Sequence, residues 1–99
     1  MEKQIVKEGE YIITKWNWIS NIQRLVEIEI IRAITKFDSF NNPHEGYAVL
    51  LEEVEELWEN VKLNQKNPDR LRLIKQEAIQ VAAMAIRLIH DCCWEEVAA

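Results

Sequence analysis

The sequence predicts an all-α protein of three main helices, antiparallel neighbours through short loops, with the helical bundle completed by oligomerisation. Three observations carry that expectation. Only two Gly and two Pro occur in 99 residues, too few breakers for a turn-rich β-sandwich. Apart from Gly9, the breakers fall in two places, Asp38-Ser39-Phe40-Asn41-Asn42-Pro43-His44-Glu45-Gly46 and Asn64-Gln65-Lys66-Asn67-Pro68-Asp69, which leaves three long segments. Each segment repeats its apolar residues at steps of three and four, the period of one helix face. With 48% hydrophobic and 29% charged residues the chain is globular, and residues 1–99 read as one domain without linker or repeat. A chain of this size buries only ~60–68% of its unfolded surface, so a single subunit has a modest core.

In the first segment Ile12, Trp16, Ile19, Gln23, Val26, Ile30, Ala33 and Phe37 mark one helical stripe. One amphipathic helix covers much of the segment and includes about residues 20–37; its N-terminus is left open, because Ser20 with Gln23 would form a capping box while Tyr11-Ile12-Ile13-Thr14 could be extended. In the second, Tyr47, Leu50, Leu51, Val54, Leu57, Trp58 and Val61 form a single stripe that opens after Pro43 and Gly46 and ends near Asn64. The third runs from Pro68, in a first-turn position, to about Trp94. Ten of the twelve residues from Ala78 to Ile89 are apolar, so this helix is expected to be buried on most sides. Ala78, Ala82, Ala83 and Ala85 would allow close approach of neighbours, including a helix of another subunit.

Seventeen acidic against twelve basic residues give a net charge of −5, with no basic cluster, which argues against nucleic acid as a partner. No run reaches the ~18 apolar residues of a membrane span and the first residues lack a signal-peptide core, so a cytoplasmic protein is expected. Cys92 and Cys93 are adjacent, a spacing that suits neither a disulfide framework nor a zinc site, and they read as free thiols.

The carboxylates need an explanation. Glu52, Glu53, Glu55, Glu56 and Glu59 fall within eight residues, and pairs three or four apart repel by a few tenths of a kcal/mol each. A solvated acidic face accounts for such a cluster taken alone. Glu77 and Gln80, on one face of the apolar third helix, must find partners, because an unpaired buried charge costs several kcal/mol. An antiparallel second helix could bring Glu53 and Glu56 opposite Glu77, and three converging carboxylates call for Mg²⁺ or Mn²⁺ rather than zinc. The plain alternative is a partly exposed Glu77 paired with Lys75, Arg72 or Arg70.

These residues resemble the MazG-like all-α nucleoside triphosphate pyrophosphohydrolases, whose mark is Glu-Glu-x-x-Glu on one helix and Glu-x-x-Asp on the next. Glu52-Glu53-Val54-Glu55-Glu56 and Glu77-Ala78-Ile79-Gln80 stand in those places, within a likeness running from about Phe37 to Ile89. The resemblance implies hydrolysis of a ribo- or deoxynucleoside triphosphate between its α and β phosphates, to monophosphate and pyrophosphate. It also implies a homodimer or homotetramer. Carried over by position, Glu53, Glu56 and Glu77 look like Mg²⁺ ligands and Glu52 like a further acidic contributor, with Mn²⁺ as an alternative ion. Gln80 departs from the pattern, which has Asp there; its amide oxygen can contact a cation but lacks the charge and cannot act as a base.

In such chemistry Glu52 or Glu53 would orient or deprotonate the attacking water. Lys62 or Arg87 could meet phosphates, Arg87 foremost because an arginine inside an apolar helix needs an anionic partner. A base pocket needs an aromatic wall, for which Trp16, Phe37, Phe40, Tyr47 and Trp58 are available, and His44 in the loop is a candidate substrate contact. Two other readings stand beside the hydrolase: a catalytically weak or inactive nucleotide-binding or regulatory protein of the same fold, and a plain helical interaction module.

Overall fold

The computed structural model describes residues 8–99, with side chains from residue 17 onward. It is all-helical over that range: α1 spans Glu8–Lys36, α2 Pro43–Val61 and α3 Arg70–Ala98, with no strand among the described residues. α1 reaches further toward the N-terminus than residue 20, the end that the sequence left open. The chain is helical from Glu8, the first described residue, Tyr11–Thr14 are helical rather than extended, and Ser20 is inside the helix, so it caps nothing. A 3.6-residue stripe that already includes Ile12 and Trp16 is continuous with the later positions, and continuity of the pattern outweighs one local capping signal. The side chains of Ile12 and Trp16 lie outside the described residues.

The real capping signal sits at α2. Asn42 adopts extended backbone and its side-chain oxygen accepts from the Glu45 N–H at 2.9 Å, while Pro43 occupies the first turn, where its missing N–H costs nothing. The Glu45 carboxylate turns back to accept from the Asn41 N–H. Gly46 thus lies within α2, and it is buried because Leu88 and Phe40 press against its Cα. At the other end α2 stops at Val61, whose carbonyl accepts from the Arg70 guanidinium at 2.9 Å. Pro68 lies in the connecting turn, one residue before the Asp69 cap, not in α3 as the sequence suggested. Cys93 has non-helical backbone, φ −129° and ψ 19°, and kinks the last turns of α3.

α3 packs on both α2 and α1, whereas α1 and α2 make no packed contact with each other. Small residues make this possible. Ala83 of α3 is wholly buried and Ala33 of α1 nearly so, and around them Val26, Phe40 and Met84 complete a small core. The molecule is flat and open, 49 × 42 × 20 Å, with a radius of gyration of 16.7 Å against about 13 Å for a compact chain of 100 residues.

The second-segment stripe divides on folding. Leu50, Leu57 and Val61 turn toward α3, while Tyr47, Leu51, Val54 and Trp58 line an exposed face at steps of four, three and four. Trp18, Ile22, Leu25, Ile28, Ile31 and Ile34 are likewise exposed along α1. No helix is long and apolar enough to cross a membrane among the described residues.

Candidate metal centre and adjoining cleft

Glu53 and Glu56 lie one turn apart on α2, and the helical hairpin sets them against Glu77 of α3. One carboxylate oxygen from each lies within 4.8 Å of the other two. Glu53 and Glu77 are half-buried and Glu56 is exposed, so the cluster is open to solvent on one side. Burial, with the charges of Glu56 and Glu53, pushes the Glu77 carboxyl up to about 7. Burial and the Glu56 charge also raise Glu53, with smaller contributions from Glu52 and from Glu29 of α1. Interaction between these two carboxyls opposes the rise at Glu53 and adds to it at Glu77. Its Oε1 is buried without a hydrogen-bond partner.

Two of the cationic partners considered for Glu77 are engaged elsewhere: Arg72 pairs with Asp69 at 3.3 Å, and Arg70 donates to the Val61 carbonyl. Glu59 pairs with Lys62 at 3.0 Å on the outer face, and the Lys62 ammonium lies 5.5 Å from the Trp58 ring centre. The three-carboxylate group is therefore left without a basic neighbour at salt-bridge distance among the described residues.

Beside this cluster lies a cleft of about 580 Å³, present because α1 and α2 diverge over α3. Glu52, Glu53 and Gln80 line its acidic end. Gln80, Met84 and Arg87, at steps of four and three, form its floor along one face of α3. α1 supplies Glu29, Arg32, Ala33 and Lys36, and Phe37 follows directly after it. Glu56 and Glu77 stand behind the acidic end and do not line the cleft, and neither do His44 and Trp58, both exposed elsewhere on α2. Of the aromatic residues considered, Phe37 and Phe40 line it; Tyr47 does not, and the Trp16 side chain lies outside the described residues.

Arg87 is 4% exposed. Its Nη2 donates to the Asp38 carbonyl at 2.9 Å, its Nη1 makes a long contact with Met84 Sδ, and the guanidinium carbon lies 4.4 Å from the Phe40 ring centre. Asp91, one turn on, accepts from the Phe40 N–H at 2.9 Å and from His90 at 2.8 Å. Burial pushes the Asp91 carboxyl up, but these hydrogen bonds and the Arg87 charge outweigh it and hold the group below its ordinary value. Arg87 and Asp91 together fasten the 37–42 loop to α3, and that loop is one wall of the cleft.

Sequence reasoning missed Glu29, Arg32 and Lys36. Their signal was present in the α1 pattern, since they flank Ala33 on the side next to the stripe, but nothing local says that this flank faces α3 rather than solvent. Comparison of the chain with protein-family models, with curated proteins and with solved structures gives no match in any of the three.

Proposed function

We propose that this chain is a MazG-like, Mg²⁺-dependent nucleoside triphosphate pyrophosphohydrolase that acts as a homo-oligomer. The observation that carries the reading is the convergence of Glu53, Glu56 and Glu77, one with a buried, unpartnered oxygen, beside a cleft large enough for a nucleotide. The donor set fits the ion. All ligands are hard oxygens, the group carries excess negative charge, and the orphaned Glu77 Oε1 has a use once a cation is present. Glu53, Glu56 and Glu77 would hold Mg²⁺, or Mn²⁺, with Gln80 contributing its amide oxygen directly or through water. A bound divalent cation would neutralise phosphate charge and lower the pKa of a coordinated water.

Glu52, on the cleft wall, orients the attacking water and accepts its proton, with Glu53 beside it. The water oxygen bonds to the α-phosphorus, the bond from that phosphorus to the α–β bridging oxygen breaks, and the electron pair leaves with pyrophosphate. Oligomerisation is supported by the unpartnered apolar faces of α1 and α2, which a lone subunit leaves in water.

The test is release of monophosphate and pyrophosphate from a panel of ribo- and deoxynucleoside triphosphates with Mg²⁺, Mn²⁺ or chelator. Metal-dependent turnover by the native chain, lost in Glu53→Ala, is the expected result; no turnover by folded protein would overturn it. A second reading, favoured by the neutral Gln80 in the cleft, is a nucleotide-binding protein with little or no catalysis. Gain of turnover in Gln80→Asp over a silent parent would decide for that reading.

A further inference from the structure

Helix register fixes which residues share a level with the neutral Gln80. α2 runs against α3: Leu88 presses on Gly46 at one end, and Asn60 donates to the Leu73 carbonyl toward the other. Between those two contacts Val49 falls opposite Met84, and Glu53 opposite Gln80. α1 runs the same way as α3, since the Asp38 carbonyl, just past its end, meets Arg87, and Ala33 shares the core with Ala83 and Met84. One turn back from Ala33 is Glu29, and one turn back from Met84 is Gln80, in each case about 6 Å at 1.5 Å per residue. The cleft thus has an apolar level of Ala33, Val49 and Met84 and, beside it, a polar level of Glu29, Glu53 and Gln80, one residue from each helix.

Glu29 is turned inward at that level. Its side chain is 17% exposed, whereas that of Arg32, its partner at 3.3 Å, is 72% exposed, so the pair is weak and readily exchanged. A carboxylate largely withdrawn from water and held by one long contact to a solvated guanidinium is poorly compensated. Its charge also reaches Glu53, where it adds to the rise of that carboxyl. In the free protein this placement is unfavourable, and a cation reverses the sign. The same centre already holds a second uncompensated group, the buried Glu77 Oε1 without a hydrogen-bond partner.

We infer that Glu29 is a fourth carboxylate of the divalent-cation centre, supplied by α1 at the level of Gln80, and that Arg32 competes with the cation for it. The assignment rests on the metal-dependent reading above and adds to it a residue that lies outside both acidic motifs. The charge that Gln80 does not provide comes from the neighbouring helix, directly or through a coordinated water. Cation binding then ties α1 to the α2–α3 hairpin, a link that packing between α1 and α2 does not make.

The experiment is Mg²⁺ titration of metal-stripped protein at pH 8, read as the rise in melting temperature and repeated with Mn²⁺ by calorimetry. It compares the native chain, Glu29→Gln, Arg32→Gln, Gln80→Asp and Glu29→Gln/Gln80→Asp, with helicity checked by circular dichroism in EDTA. Glu29→Gln should bind either ion about tenfold or more weakly. Arg32→Gln, which frees the carboxylate, should bind about two- to fivefold more tightly. In the Gln80→Asp background, where a fourth carboxylate is already present, loss of Glu29 should cost at most about threefold. A Glu29 that serves only its pair with Arg32 would make the two single variants alike. Equal affinity in the native chain and Glu29→Gln, weaker binding in Arg32→Gln, or no binding of either ion by the folded native chain at millimolar concentration would each overturn the assignment. Metal-dependent turnover and ion binding that are both indifferent to Glu29→Gln remove this residue and leave the hydrolase; Glu29-dependent ion binding without turnover of any nucleoside triphosphate does the reverse.

Discussion

Replacing Glu77 by Gln should make the metal-free protein more stable at pH 8, an unusual outcome for a half-buried residue. The reason is in the cluster: burial and the neighbouring charges of Glu56 and Glu53 raise the Glu77 carboxyl from 4.5 to about 7. Between about 4.5 and 7 the unfolded chain has released this proton and the folded chain still holds it, so stability falls as pH rises through that window and stays low above it. A shift of roughly 2.5 units corresponds to ~3.4 kcal/mol at 1.36 kcal/mol per unit. Solvent on the exposed Glu56 side screens part of this, and about half, ~1.5–2 kcal/mol, is expected to survive. For a domain of this size that is roughly 6–16 °C in Tm. Thermal melts followed by circular dichroism, at one protein concentration in EDTA, should show Glu77→Gln well above the native chain at pH 8 and close to it at pH 5. Adding Mg²⁺ should raise the native Tm and move the variant much less, since only the native cluster offers three carboxylates. A variant that melts at or below the native chain at pH 8 in EDTA would refute the electrostatic account of the cluster.

Two further outcomes follow from the same geometry. Gln80→Asp should bind Mg²⁺ about tenfold more tightly, because it adds a charged ligand beside Glu53, and should lower stability in chelator for the same reason; a Mg²⁺ titration monitored by Tm reads both. Gly46→Ala should lose about 1 kcal/mol despite the better helix propensity of alanine, since its Cβ would run into Leu88 Cδ1 and lie 3.1 Å from the Phe40 ring, and an unchanged urea midpoint would contradict the close approach of α2 to α3.

The helical class and the division into three helical segments could be read from the sequence because period and breakers agree, while individual helix ends differ by several residues. Asn42-Pro43-His44-Glu45 carries a cap, a first-turn proline and a returning carboxylate within four residues, a local signal for the start of α2 that reading the helix from its apolar stripe, after Gly46, passes over. For α1 the local signal is not decisive. Ser20 and Gln23 have the capping spacing, yet a cap matters only where the helix ends, and the apolar stripe running on through Trp16 and Ile12 shows that it does not end there. The juxtaposition of Glu53, Glu56 and Glu77 was legible from helix faces plus a short turn. Arg32 and Lys36 were not, because their place in the cleft depends on α1 lying across α3 and away from α2, a tertiary choice that no residue within α1 dictates.

That same divergence of α1 from α2 links the exposed surface to the chemistry. Had α1 packed along α2, the apolar residues now exposed on both helices would have covered one another, and the cleft would have closed over Gln80 and Arg87. The core of Val26, Ala33, Phe40, Ala83 and Met84 is instead confined to α3 and the residues next to it. In the proposed homo-oligomer, a subunit with so little buried surface would gain stability by covering Trp18, Ile22, Tyr47 and Trp58 with another copy. The loop wall held by Arg87 and Asp91 is fastened to α3 rather than to those apolar faces. Such an assembly would therefore stabilise the helices that bear the carboxylates while leaving open the cleft into which, on the proposed function, a triphosphate would enter.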